Sequence, residues 1–367
     1  MKNYKKYRGI TVLFSFIFLF LCLFILREKT LISIKDTLSF SLSSLYPSLF
    51  PFIFLSSLLN LSTASIYISK ILSPILRYIF KLSENSATVF ISALLFGYPL
   101  GAKLTSELIK ENKIGKSEAA RIICCCLSPG APFCIMFVGG VLLKNIKLGF
   151  FMFLSIIISD LLFLFISGIK LKTPEKSLFT NNSSDFYLNI NTSLQSSAKA
   201  LINMALYVSV FRVIIVFLND SGATEFLSKN LYFIDPKIKA AIFLFLFEVT
   251  GGISDALKIE LPVSYICAGL SFGGLCMFFQ LFSFFKKQIL NLPVLIFART
   301  LISVCAFYIF NLFIRLSPEL KLVSMNFNSE SAITLKGNFQ GVMCLTLLFL
   351  FITMLTERKQ NNLNLLK

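Results

Sequence analysis

Phe96-Gly97-Tyr98-Pro99-Leu100-Gly101-Ala102-Lys103 and, in the second half of the chain, Phe247-Glu248-Val249-Thr250-Gly251-Gly252-Ile253-Ser254 are apolar segments interrupted at matching places. Each interruption puts an ionisable group inside hydrophobic sequence. Gly and Pro partway along such a segment free backbone groups that lipid cannot satisfy, so these stretches belong against protein or a wet cavity. A matched pair of interruptions in two halves points to the binding site of a transporter.

Working outward, the composition excludes a soluble protein. Of 367 residues, 56% are apolar, 42 are Phe and only 14% are charged, against about 25% charged in ordinary soluble domains. The mean hydropathy is +0.80. Several apolar runs reach the ~20 residues that cross a bilayer. The expected fold is all-α: a polytopic membrane protein of about 10–12 transmembrane or re-entrant helices in two pseudo-symmetric, inverted repeats.

The net charge of +17 comes from 35 Lys and Arg against 18 Asp and Glu. The bases sit in short loops (Lys2, Lys5, Lys6, Arg8; Lys110, Lys113, Lys116; Lys170, Lys172, Lys176; Lys286, Lys287). That is the pattern of loops held on the cytoplasmic side, not of a nucleic-acid surface. Expected partners are membrane lipids and a small polar solute, with no nucleic acid; a homo-oligomer is compatible with the chain. The expected location is the bacterial cell membrane, multi-pass, with both termini cytoplasmic.

His is absent, which excludes Ser-His-Asp and Cys-His catalysis and removes the usual metal ligand. All nine Cys lie in apolar segments. The run Cys124-Cys125-Cys126 with Cys134 invites a soft-metal reading, but consecutive residues point to different faces of a helix, so packing is the better reading. No metal or other cofactor is expected. Ser196-Ser197-Ala198-Lys199 matches S-x-x-K without the accompanying motifs of such enzymes, and no enzymatic activity is expected.

Residues 1–35 hold a signal-anchor helix: Ile10–Leu26 is too long for a signal-peptide core and no small-residue cleavage site follows. Residues 36–169 form the first repeat. They contain a span over Leu38–Leu61 that Pro47 and Pro51 should kink or break, a short segment at 66–82, a broken span over Ala87–Ala102, a second broken at Ser128-Pro129-Gly130-Ala131-Pro132, and a closing span with Asp160. Residues 170–197 read as a polar linker. Residues 198–314 repeat the order: a span with Arg212, a short segment at 222–234, breaks at Gly251-Gly252 and Gly273-Gly274, and a closing span with Arg299. Residues 315–367 add a polar stretch and a last span. If both short segments cross, there are about 12 crossings and the halves are inverted. If both lie in the interface, about ten remain, the halves run parallel, and Lys286 and Lys287 fall outside, against the charge rule. The inverted arrangement is preferred.

A helix stopping mid-membrane exposes amides that suit an anion or carbonyls that suit a cation. The four breaks are therefore expected to build one central cavity, with Gly97, Tyr98, Pro99, Gly101, Lys103, Ser128, Gly130, Glu248, Thr250, Gly251, Gly252, Ser271, Gly273, Gly274 and Gln280 as its solute-binding residues. The competing reading is that these glycines only permit close helix packing. Glu248 stands out, because a charge at the bilayer centre costs about 2.5–3.5 kcal/mol and needs a partner or water. Lys103, Arg212 and Arg299 are candidate partners; Glu248, Asp160, Arg212 and Arg299 are candidate coupling or ion-pair residues. The bland alternative is a structural ion pair joining the halves.

These motifs together, G-Y-P-x-G-A-K at 97–103, Ser128-Pro129-Gly130-Ala131-Pro132-Phe133, E-V-T-x-G at 248–252, and Ser271-Phe272-Gly273-Gly274 with Gln280, resemble the YlbJ family of sporulation integral membrane proteins. The likeness runs from about Leu38 to Ile314. It implies membership of the nucleoside-recognition or Gate group, whose domains also occur in concentrative nucleoside transporters and in the membrane part of ferrous-iron transport proteins. It further implies a role in endospore formation, in cortex assembly from the mother-cell membrane. A transporter or permease is the leading expectation, a non-transporting scaffold for spore-envelope assembly the second, and a ferrous-iron channel using the Cys cluster the third.

Overall fold

The computed structural model describes residues 20–174 apart from 22 and 63, then 186–221, 235–285 and 292–317. Among these residues every regular element is helical. Much of the expected N-terminal anchor, the short segment at 222–234, Lys286–Lys287, and the last span over Val342–Leu355 lie outside the described residues.

The chain enters through α1 (Arg27–Phe40), a π-helical turn (Ser41–Leu45) and α2 (Tyr46–Leu61). Pro47 and Pro51 do not break this helix as expected. The wider π turn directly upstream gives the Pro47 ring room beside the carbonyl four residues back, and the rod continues. No loop falls at the boundary expected between residues 35 and 36. Next, α3 (Ala64–Tyr78) is 15 residues long, roughly 22 Å, short of the ~30 Å hydrocarbon core. Tyr67, Ile71, Ile75 and Tyr78 form its exposed apolar face.

The expected broken span at 87–102 is a re-entrant hairpin. Helices α4 (Glu84–Phe96) and α5 (Tyr98–Lys110), 13 residues each, meet at Gly97. Gly97 has φ 95° and ψ 178°, a region essentially reserved for glycine, and it reverses the chain in one residue. The arms therefore open at the same end. Asn85 Nδ2 donates to the Lys113 carbonyl at 3.3 Å and the Ser83 amide donates to Glu118 Oε1 at 2.6 Å. The second half repeats this with α9 (Pro236–Phe247) and α10 (Val249–Lys258) about an extended Glu248. There the arms pack so closely that a Cβ on Gly252 would lie 2.6 Å from the Leu244 carbonyl oxygen.

The second break of each half lies on a true crossing. In the first half, α6 (Lys116–Cys126) is followed by a π-helical stretch, Pro132–Leu142. In the second, α11 (Val263–Phe272) gives way to α12 (Gly274–Ser283) at left-handed Gly273, φ 91°. Full-length helices close each half: α7 (Ile146–Gly168), whose first turn is capped by Asn145, and α13 (Leu292–Leu316). Gly139 and Gly149 do what small residues do in membrane bundles: their α-carbons let the π-helical stretch and α7 touch, with a Cβ on Gly139 only 2.8 Å from Gly149 Cα. Between the halves, α8 covers Phe186–Asp220, so the polar linker expected to reach residue 197 gives way to helix by 186.

Contacts assign each loop to an end of the bundle. At one end Arg121 donates to the carbonyls of Phe80, Lys81 and Leu164, Arg77 donates to Pro174, and Asn189 donates to Leu61. Both ends of α3 belong here, so α3 does not cross. At the opposite end Lys29 pairs with Asp220, Ser264 donates to Asn311, and the rings of Phe151 and Phe313 lie 5.2 Å apart. The first hairpin opens at the former end and the second at the latter. Both topologies expected above counted 87–102 and 240–257 as crossings; each instead turns back at its tip.

Among the described residues, five helical stretches are long and apolar enough to cross a bilayer: Arg27–Leu59, Ile146–Gly168, Asn189–Asp220, Val263–Ser283 and Leu292–Leu316. Along the outside, Ile166, Phe297, Leu301, Tyr308 and Leu312 stand exposed. So much uncovered apolar surface requires lipid. The chain is an all-α, multi-pass membrane protein.

Candidate functional site

The hairpin tips and crossing breaks converge. A cavity of ≈ 50 Å³ is lined by Gly97 at the first tip, Pro129, Gly130 and Pro132 at the first crossing break, Glu248, Val249 and Thr250 at the second tip, and Leu270, Cys276, Met277 and Gln280 flanking the break at Gly273. Leu49 and Ile53 of α2 and Met204 and Val208 of α8 close it. A water needs about 10–15 Å³ by this measure, so a few waters fit. Sites that enclose a drug-sized solute run to about 300–1,000 Å³, so this cavity is smaller than such a site.

The tips touch their neighbours through backbone. A Cβ on Gly97 would lie 2.8 Å from the Gly130 amide nitrogen, and one on Gly274 would lie 2.8 Å from the Phe245 carbonyl oxygen. Both glycines have positive φ. Gly97 serves close approach and chain reversal at once, whereas Gly274 serves close approach on a stretch that continues across.

Glu248 is the N-cap of α10. Its φ of −153° and ψ of 127° carry its carboxylate back over the helix start. It accepts from the Thr250 amide, and from the Gly251 amide at 2.7 Å. These amides carry the positive end of the helix dipole, so the negative charge is held where the backbone favours it. Arg212 Nε lies 3.5 Å from Glu248 Oε2, and Arg212 Nη1 donates to Asp255 Oδ2 at 3.0 Å. Of the three expected partners of Glu248, Arg212 is the one observed. The guanidinium lies on Gly251: a Cβ there would fall 1.1 Å from Arg212 Nη2. Gly251→Ala is therefore expected to evict Arg212 and destabilise the protein by about 2–4 kcal/mol, read as a lower unfolding temperature in detergent; an unchanged temperature would contradict this arrangement.

Arg299 and Asp160 make a second pair, both side chains fully enclosed, with Nη1 3.1 Å from Oδ1. Ser128 donates to Asp160 and accepts from Arg299 Nη1 and Nη2. Arg299 Nη1 also donates to the Cys124 carbonyl at 3.0 Å, and Nε reaches toward the Phe272 carbonyl at 3.5 Å. Those carbonyls belong to the last turns of α6 and α11, the helix ends left open by the two crossing breaks. One guanidinium thus satisfies the negative helix ends of both halves and bolts them together.

Of the expected binding residues, Gly97, Gly130, Glu248, Thr250 and Gln280 line the cavity. Tyr98 and Pro99 open α5 beside it, but their side chains lie outside the described residues. Gly101 donates to the Gly97 carbonyl within the same turn. Gly251 and Gly252 pack against Arg212 and Leu244, and Gly273 lies near Leu127. Ser271 is buried, its hydroxyl without a hydrogen-bond partner among the described residues. Lys103 does not meet Glu248; its ammonium donates to Ser196 Oγ at 3.0 Å. The thiols of Cys125 and Cys134 face the carbonyls of Asp160 and Pro129. Sequence reading missed Asp255, although it stands two helical turns beyond Glu248 on the same face of α10 and so marks the second anchor of Arg212. Leu49, Ile53, Met204 and Val208 carried no signal, since apolar residues on α2 and α8 look alike whether they face cavity or lipid.

Two hairpins with apposed tips, two broken crossings and paired charges define a multi-pass helical membrane protein with an internal cavity where the breaks meet. The chain is 33% identical over 114 residues to the sporulation integral membrane protein YlbJ of Bacillus subtilis (strain 168). The match covers 30% of this chain and 28% of that protein. No protein-family profile matches the chain, and no solved structure does.

Proposed function

We propose that this is a membrane transporter or permease of endospore formation, passing a polar solute through the cavity where the hairpin tips meet. The observation that carries the reading is that irregular backbone from both halves lines one cavity together with Glu248 and Gln280. Irregular backbone at membrane depth is stable only where protein or a wet cavity meets it. A sporulation role is supported by the partial likeness to the sporulation integral membrane protein YlbJ, and within it we place the protein in cortex assembly, in the mother-cell membrane. The end carrying Lys110, Lys113, Lys116, Lys170 and Lys172 is cytoplasmic by the charge rule. The first hairpin then opens inward and the second outward, which is an inverted repeat of the kind used for alternating access.

A non-transporting scaffold is the second reading. In its favour, the protein's own charges already occupy several broken helix ends, Glu248 on α10 and Arg299 on α6 and α11. Glu248→Gln separates the two. Expressed in sporulating B. subtilis lacking YlbJ, the native chain is expected to restore heat-resistant spores, and the Gln variant is expected to fail while its membrane level stays normal. A fully functional Gln variant would end the assignment of Glu248 to the site.

A further inference from the structure

The interior guanidiniums among the described residues are all answered. Arg212 has Glu248 and Asp255, Arg299 has Asp160, and Arg121 has three carbonyls. Half-buried Lys103 has a single hydroxyl, that of Ser196, and no carboxylate within ion-pairing distance among the described residues. A half-buried ammonium with one neutral protein acceptor has two further donors for water or a ligand. Ser193, one turn back on α8, is fully buried, and its hydroxyl has no hydrogen-bond partner among the described residues.

Position adds to chemistry. Lys103 lies roughly 9 Å along α5 from the tip at Gly97, toward the end of the bundle that carries the basic loops. It therefore stands between that end and the cavity. The two hairpins also differ at their tips. Glu248 caps the N-terminus of α10 with its carboxylate, whereas α5 starts at Gly97, which has no side chain to offer. The second half carries its own anion at the tip; the first half has an uncapped helix start and an unpaired cation.

We propose that Lys103, with the hydroxyls of Ser193 and Ser196, is the site that selects an oxyanion group, a carboxylate or phosphate, of the solute entering from the first-hairpin side. This rests on the transport reading above and names its substrate class. The ammonium supplies charge and the hydroxyls supply further donors, giving charge-assisted hydrogen bonds that a neutral solute cannot match.

The test is thermal unfolding of the purified full-length chain in a phosphate-free neutral detergent. Sodium phosphate and sodium acetate are titrated against sodium chloride at equal ionic strength. A parallel series uses bilayer discs of phosphatidylcholine with or without phosphatidylglycerol. At least one oxyanion is expected to stabilise the native protein beyond chloride. Lys103→Met should weaken that binding about tenfold or more, the double variant Ser193→Ala with Ser196→Ala should weaken it less, and Lys103→Arg should retain it. Gly115→Ala, where nothing lies within 4 Å of the added Cβ, should leave it intact. The proposal is overturned if neither anion acts beyond chloride, if Lys103→Met binds like the native chain, or if phosphatidylglycerol alone stabilises, which assigns the site to lipid headgroups. Oxyanion binding with no uptake into liposomes would refute transport and leave the site standing. Solute uptake unaffected by Lys103→Met, with no anion effect, would do the reverse.

Discussion

Arg299→Met is expected to lower stability by about 3–5 kcal/mol, the cost of stranding a buried charge. Both partners of the Arg299–Asp160 pair have side chains 0% exposed. Removing the guanidinium leaves a carboxylate, the Ser128 hydroxyl and the carbonyls of Cys124 and Phe272 without a cation, all in low dielectric. The expected readout is loss of protein from the membrane and a depressed unfolding temperature in detergent. Removing both charges is a different matter. Desolvating two ions costs nearly what their attraction returns, so the double change Arg299→Met with Asp160→Leu should recover much of the loss. If Arg299→Met alone unfolds at the native temperature, the bolt between the halves does not exist. If the double variant is stable yet inactive, the pair serves the working cycle as well as the fold.

Gly97→Ala should cost about 2–6 kcal/mol and abolish function. Two penalties combine: about 1–3 kcal/mol for forcing an L-residue into φ 95°, ψ 178°, and about 1–3 kcal/mol for a Cβ placed 2.8 Å from the Gly130 amide nitrogen. The contact is backbone, so no side chain can rotate away. Gly115→Ala is the control, since nothing lies within 4 Å of a Cβ there, and it should behave as the native chain. Equal stability of the two variants would mean that the first hairpin does not turn at residue 97.

Much of this arrangement is legible in the sequence, because lipid makes irregular backbone conspicuous. Three of the four expected interruptions, at Gly97, at 128–132 and at Gly273, are helix breaks; the one expected at Gly251-Gly252 falls instead at Glu248, and both glycines lie inside α10. Glu248, buried in an apolar run, does have a cationic partner. What the sequence could not distinguish was a helix that breaks and continues from one that breaks and turns back. Gly97 and Gly273 are both positive-φ glycines between helices, yet the first reverses the chain and the second lets it cross. The difference lies in ψ, 178° against −25°, which no residue type announces. Pairing was likewise a matter of tertiary geometry: Lys103, Arg212 and Arg299 were equivalent on paper, and only the packing of α8 and α13 against the breaks gave each its partner. Pro47 misled because the π turn upstream relieved a clash that an ordinary α-helix would not, while Pro51 lies inside α2, which continues through it.

Two native cysteines test directly whether the hairpin tips enclose a water-reachable chamber. Cys276 borders the chamber, whereas Cys267 is equally buried but packed in the core between α11 and α7. In membranes containing full-length protein with only one of these thiols retained, a small charged methanethiosulfonate should modify Cys276 and spare Cys267. Modification of neither, or of both alike, would contradict a solute chamber at the meeting point of the two halves.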